Sequence, residues 1–225
     1  MTSADNPWLR IPAADYEGHM HAVGQTAALR ELFSSVYGRL KPRRLAVLGC
    51  TTGADFDAID STVTDLAVGV DINAEYLQVA GERLAAAGRN VHLVCGDVLT
   101  VELPHAPFDL VHAALLLEYL DPAAVFRRFH EWIAPSGYVS IILQEEIPGI
   151  AAVSNTHYDS LQTLASTMSL RSAEQIAAIG AEEGFVCESS RALELPSRKV
   201  LVLMLFERAR ERAVSALRSE RARRE

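Results

Sequence analysis

Leu45-Ala46-Val47-Leu48-Gly49-Cys50-Thr51-Thr52-Gly53 is the stretch whose reading decides the fold. Four apolar residues run into a turn of small residues bracketed by two glycines, and a helical pattern follows. A strand that feeds such a turn and then a helix is the opening unit of a parallel α/β sheet. The next apolar run, Val68-Gly69-Val70-Asp71, ends in an acid 22 positions after Gly49. A third run, Val91–Cys95, ends in Gly96-Asp97, and a fourth, Phe108–His112, ends in Ala113-Ala114.

Working outward, the same rhythm covers most of the chain. The spacing predicts strands at 44–48, 66–70, 91–95, 108–112 and 137–143. Helices are predicted at about 54–60, 73–87 and about 122–134, with Asn73 and Asp121 as N-caps and Pro122 at the first helical position. Before them, residues 1–15 read as an irregular arm and Tyr16 to about Gly38 as one helix broken by Lys41-Pro42. After residue 143 the rhythm changes. Residues 144–171 form a long connection with a weak helical pattern around Tyr158–Met168. Ser172-Ala173-Glu174-Gln175 is a capping box that opens a helix ending at Gly184. Two closing runs, 185–190 and 199–207, flank the turn Leu195–Arg198 and read as an antiparallel pair at one sheet edge. The expected fold is α/β, a doubly wound, mostly parallel, seven-stranded sheet with an N-terminal helical cap.

Composition narrows the class. The chain has 225 residues, 49% of them hydrophobic, which suits one large buried core rather than a disordered segment. No apolar run approaches the ~20 residues needed to span a bilayer. No secretory signal is visible at the N-terminus, and Cys50, Cys95 and Cys187 lack metal-ligand spacing, so free thiols and a cytoplasmic location are expected. The net charge of −8 argues against nucleic acid as a partner. Residues 207–225 hold seven Arg and four Glu, a local +3, so the remainder carries −11. That tail reads as a solvated terminal helix. Arg outnumbers Lys 19 to 2.

A doubly wound sheet binds its ligand at the carboxyl ends of its strands, where the strand order reverses. The turn 49–53 lies at such an end. Its glycines allow close backbone approach, and Asp71 is placed to hold both hydroxyls of a ribose. Asp97 is suited to accept from an adenine amine. A dinucleotide site prefers Gly-x-Gly-x-x-Gly, because a pyrophosphate must touch the loop. Here only Gly49 and Gly53 stand in the turn, with Thr51 in the middle place. That pattern, with the antiparallel closing pair, points to S-adenosylmethionine.

At these residues the chain resembles the class I S-adenosylmethionine-dependent methyltransferases over about residues 40–207. Leu48–Gly53, Val68–Ile72, Cys95–Val98, Phe108–His112 through Glu118-Tyr119-Leu120, and Trp132–Tyr138 match the family's motifs in order. The resemblance implies a cofactor site built from Tyr16, Gly49, Cys50, Thr51, Gly53, Asp71, Ile72, Asp97, Val98 and Ala113. It also implies an N-terminal segment folded over the cofactor. Candidate catalytic groups are His19, Glu118 and His157, and candidate acceptor contacts are Tyr119, Gln144 and Tyr158. His112 reads as a buried structural histidine, and Leu115-Leu116-Leu117 as core. Where the family usually has an acid two places before the first glycine, this chain has Val47; Asp57 is the nearby substitute. A narrower likeness, through Tyr16–Met20, Gln25 and Val153–Tyr158, is to a bacterial subgroup and adds sites but no acceptor.

The resulting division is 1–40, an arm and helix capping the site; 41–207, the methyltransferase domain; and 208–225, the basic tail. The expected activity is metal-independent methyl transfer to a small molecule, at oxygen or nitrogen, with no membrane partner and with a homodimer allowed. A Rossmann oxidoreductase and a cofactor-binding protein without transfer activity remain as alternatives.

Overall fold

The computed structural model describes residues 6–209. Residues 210–225, which make up nearly all of the basic tail, lie outside the described residues, as do residues 1–5. Seven strands form one sheet in the order β3-β2-β1-β4-β5-β7-β6. They are β1 Arg44–Leu48, β2 Leu66–Asp71, β3 His92–Cys95, β4 Phe108–Ala114, β5 Ile133–Gln144, β6 Phe185–Glu194 and β7 Val200–Arg208. Strands β1 to β5 pair in parallel, and β7 runs antiparallel to both β5 and β6. The expected doubly wound sheet with an antiparallel edge pair is therefore present.

Helix α1 spans Ala13–Ala22, α2 Gln25–Leu40, α3 Ala74–Ala86, α4 Pro122–Trp132 and α5 Ala173–Glu182. The expected caps are in place. The Asn73 side chain accepts from the backbone N–H groups of Glu75 and Tyr76, Asp121 accepts from Ala123, and Ser172 with Gln175 closes a capping box. Each supplies an acceptor to amides that have none within the helix.

Strand alternation sorts the core into two layers. Leu45 and Val47 of β1 pack on one face with Leu32, Phe33 and Val36 of α2. Ala46 and Leu48 pack on the other face with Phe126 and Phe129 of α4. Both faces are covered, as a parallel sheet requires.

The structure departs from the sequence reading in four places. The single helix expected from Tyr16 to Gly38 is two, α1 and α2, because Gly24 adopts a left-handed φ of 75° that turns the chain between them. The arm before Tyr16 is not irregular throughout: Pro7–Leu9 form a 3₁₀ turn capped by Asn6, and α1 starts at Ala13. The segment after Gly53 is a five-residue 3₁₀ turn, Ala54–Ala58, around buried Phe56. Strand β5 begins at Ile133, but its pairing jumps from Phe108–Ile133 to Leu110–Tyr138, so the expected Pro135–Gly137 turn survives as an irregularity within the strand.

Candidate active site

The strand order reverses between β1 and β4, and a cavity of about 720 Å³ opens beyond the carboxyl ends there. Its floor is the set of turns that follow the strands. Its roof is made of the N-terminal arm, α1 and the connection after β5.

The turn after β1 is held by the end of β2. Asp71 is 6% exposed, and its two carboxylate oxygens accept from the Thr51 and Asn73 backbone amides at 2.8 Å each. Burial raises its pKa above the ordinary aspartate value, and those backbone bonds oppose the rise. Each oxygen keeps a lone pair for a further donor. Gly49 has φ 66°, and a Cβ there would meet Leu116 at 3.3 Å, so a side chain would narrow the space above the turn. Thr51 also has a positive φ, 47°, which a β-branched residue rarely adopts.

Val47 offers no carboxylate, but the 3₁₀ turn brings two acids to the cavity. Asp55 lines the cavity, and burial pushes its pKa up to about 6, Arg30 opposing and Asp57 adding to the shift. Asp57, the substitute picked from sequence, also lines the cavity but is exposed and paired with Arg30 at 2.9 Å. Asp55 is therefore the better-placed acid for a cationic group, and sequence reasoning missed it.

The roof is docked through polar and aromatic contacts. Glu17 of α1 accepts from Thr52 Oγ1 and Arg83 Nη2 at 2.6 Å each, and Arg83 also donates to the Thr52 carbonyl at 2.8 Å. These bonds tie the cap to the glycine turn and to α3. The Trp8 ring sits 6.0 Å from Tyr16 and 5.1 Å from Tyr119, edge-on to both, and Tyr16 lies 5.5 Å from Tyr76. The Trp8 carbonyl accepts from Asn73 Nδ2 at 2.8 Å. Ile11, Val153, Leu161 and Leu164 form a small apolar core that joins the arm to a 3₁₀ segment, Asp159–Ser166. This segment is the weak helical pattern expected around Tyr158–Met168. No sequence period links Trp8 to Tyr119, so the aromatic cluster was invisible before folding.

The far corner of the cavity is polar. His19 is 4% exposed, and its Nδ1 lies 2.9 Å from Thr156 Oγ1. Burial first, then the charge of Lys199, hold its pKa below the ordinary histidine value, so the ring is neutral at neutral pH. Gln25 Nε2 donates to Gln144 Oε1 at 3.2 Å, and Gln144 Nε2 donates to the Ala152 carbonyl at 2.9 Å. Lys199 Nζ donates to that same carbonyl at 2.7 Å. The sequence marked Lys199 only as the start of a strand.

Ten of the sequence-selected residues line the cavity: Tyr16, His19, Gly49, Thr51, Asp71, Ile72, Asp97, Val98, Tyr119 and Gln144. Six stand elsewhere. Cys50 is buried beneath the turn, Gly53 packs under it against Ala80 and Phe56, and Ala113 faces the core. Glu118 is buried behind the wall. Its Oε1 accepts from the Gln144 backbone amide at 2.8 Å, its Oε2 has no partner, and burial pushes its pKa up to about 7. That makes Glu118 a brace for the end of β5, and it does not line the cavity. Tyr158 packs on Gly18 of α1, where a Cβ would meet its hydroxyl at 2.1 Å. His157 is exposed and lies against Tyr158, ring centroids 4.0 Å apart. Neither ring lines the cavity. Of the Leu115–Leu117 run, Leu117 is core, while Leu115 and Leu116 reach the cavity wall. His112 is fully buried against Phe33, as a structural histidine should be. Among the described residues, no group of three or more His, Cys, Asp or Glu is arranged to hold a metal ion. Among the described residues, no helix is long and apolar enough to cross a membrane.

These residues fit S-adenosylmethionine. A glycine turn open above Gly49, an acid at the end of β2 with spare acceptor capacity, and a second, half-buried acid at Asp55 suit a ribose diol and an ammonium. When bound, that cofactor supplies a methyl group already activated on a sulfonium.

Comparison with known proteins agrees. Residues 46–137 match the family model described as a methyltransferase domain. The indolepyruvate C-methyltransferase of Streptomyces griseus is 25% identical over 193 residues, 80% of this chain and 57% of that protein. Phosphoethanolamine N-methyltransferase 3 of Arabidopsis thaliana is 30% identical over 105 residues, 45% of this chain and 21% of that protein. The chain thus spans little more than half of one curated relative and about a fifth of the other. In fold, it superposes on an S-adenosylmethionine-dependent methyltransferase from Clostridium acetobutylicum with a TM-score of 0.63 at 11% identity, covering 80% of this chain and 91% of that one. Over residues 46–137 the chain is thus similar to a methyltransferase domain, and its fold is similar to that of an S-adenosylmethionine-dependent methyltransferase.

Proposed function

We propose that this protein transfers a methyl group from S-adenosylmethionine to a small-molecule acceptor, at an oxygen or nitrogen whose proton His19 removes. One observation carries the reading. A neutral, buried histidine faces the same roofed cavity as the glycine turn and Asp71. In this role Asp71 holds the ribose, Asp97 the adenine amine and Asp55 the ammonium. Glu17 and Arg83 keep the cap closed over the glycine turn, and the Trp8–Tyr16–Tyr119 cluster excludes water from the reacting centre. The names of the two relatives differ in acceptor atom, carbon in one and nitrogen in the other, so the choice of oxygen or nitrogen rests on His19.

The test is conversion of S-adenosylmethionine to S-adenosylhomocysteine in the presence of fractionated small metabolites. His19→Ala is expected to lower the turnover number about 10²-fold while S-adenosylhomocysteine affinity holds. Unchanged turnover would remove His19 from the mechanism. A variant that loses cofactor affinity instead would make it a binding residue.

A further inference from the structure

The far corner of the cavity has a composition that proton removal by His19 does not explain. Lys199 is 2% exposed, lines the cavity, and donates a single hydrogen bond, to the Ala152 carbonyl. Among the described residues, no carboxylate lies within ion-pair distance of it. The cavity's other cations differ: Arg30 is paired with Asp57 and Arg83 with Glu17. The acids that reach the cavity from the strand ends, Asp55, Asp57, Asp71 and Asp97, all follow β1, β2 or β3. The corner at β5 and β7 holds a lone ammonium.

Its hydrogen-bonding inventory leans the same way, with Gln25 Oε1 the one amide side-chain oxygen there that accepts no bond among the described residues. An ammonium has three donors and a side-chain amide nitrogen two. Lys199 spends one, Gln144 Nε2 spends one on the same carbonyl, and Gln25 Nε2 spends one on the Gln144 oxygen. Donors are left over, while the Gln144 and Ala152 oxygens beside them are already engaged. A buried cation without a counter-ion is costly, and burial lowers the Lys199 pKa to about 8. The chain is otherwise an arginine user, 19 to 2, and places one of its two lysines here.

We infer that Lys199, with the Gln25–Gln144 amides, is an anion subsite that holds a carboxylate of the methyl acceptor. The inference rests on the methyltransferase reading of the same cavity. A carboxylate is an acceptor-only group and meets the surplus of donors. Its single charge matches a single ammonium, whereas a phosphate dianion would leave charge unbalanced in a buried corner. Seated there, the acceptor lies beside His19, which is neutral and leaves the anion to Lys199. Leu115, Leu161 and Met168 on the cavity wall receive the apolar part of the molecule.

The experiment exploits the lysine count. The full chain labelled with ¹³Cε-lysine gives two lysine signals, Lys41 and Lys199, in a carbon–proton correlation spectrum. The protein is first saturated with S-adenosylhomocysteine, followed by calorimetry. Phenylacetate, its neutral isostere phenylacetamide, and inorganic phosphate are then titrated in. Phenylacetate is expected to shift the Lys199 signal and raise its titration midpoint while Lys41 stays still, and phenylacetamide is expected to do neither. Lys199→Met should weaken phenylacetate at least about tenfold and leave S-adenosylhomocysteine binding intact. Equal responses to acid and amide, full phenylacetate affinity in Lys199→Met, or no Lys199 response to millimolar phenylacetate would overturn the subsite. A larger response to phosphate would overturn the carboxylate assignment. Failure of the wild-type chain to bind S-adenosylhomocysteine would strike the proposed function itself, so the two failures are distinguishable.

Discussion

Replacing Asp71 with alanine tests how the cofactor turn is built, because the structure gives this carboxylate two tasks. It accepts from the Thr51 amide after β1 and from the Asn73 amide before α3, each at 2.8 Å. Asn73 is itself the N-cap of α3. Asp71→Ala leaves two buried N–H groups without an acceptor, at about 1–3 kcal/mol each. Against this, burial raises the Asp71 pKa despite its hydrogen bonds, so removing the charge recovers part of the loss. The lower end of the range, about 2 kcal/mol, is expected, which in a chain of this size lowers the apo Tm by roughly 4–8 °C. Cofactor binding falls further. Two charge-assisted bonds to a ribose diol at about 1.5 kcal/mol each amount to a loss of more than about a hundredfold. Thermal unfolding of the apo protein and calorimetry with S-adenosylhomocysteine separate the two tasks. An unchanged Tm would refute the bracing of the turn. Unchanged affinity would refute the ribose assignment, whatever the Tm does.

The other predictions concern the neighbours of Asp71. Thr51→Gly should relieve roughly 1 kcal/mol of left-handed strain and lose a similar amount to the freer unfolded chain, so the Tm should move by no more than a few degrees and cofactor affinity should hold or rise. A large loss of affinity would mean that the Thr51 side chain itself is needed beside Tyr16. Asp55 has a folded pKa of about 6 against an ordinary 3.8, so the unfolded chain ionises first. Its contribution is complete below about pH 4 and is lost as pH rises through 6. Asp55→Asn should therefore flatten the decline in apo stability between about pH 4 and 6 relative to wild type. It should also abolish any tightening of S-adenosylhomocysteine binding across that window. Identical pH profiles for the two proteins would mean that Asp55 is not the group that titrates in this window.

The sequence by itself determined the parts of this protein that are local in the chain. Strand and helix periods, the caps at Asn73, Asp121 and Ser172, the open turn at Gly49 and the acid at Asp71 are all written within a few residues of where they act. The sheet and the part of the cavity lining that follows the strands were legible because each motif sits at the end of its own strand. The tertiary structure alone decided which distant side chains share the cavity. Lys199 meets the carbonyl of Ala152, 47 residues away, only because β7 inserts beside β5. Trp8 meets Tyr119 because the arm folds across the carboxyl ends of the strands. Glu118, His157 and Tyr158 had the right chemistry and the right neighbourhood in sequence, yet rotation of the chain put them behind the wall or on the outer side of the roof. The reason is physical. Hydrogen bonds within a turn or helix fix local geometry over a few residues, whereas the direction a side chain faces in a long connection is set by packing against elements far away in sequence.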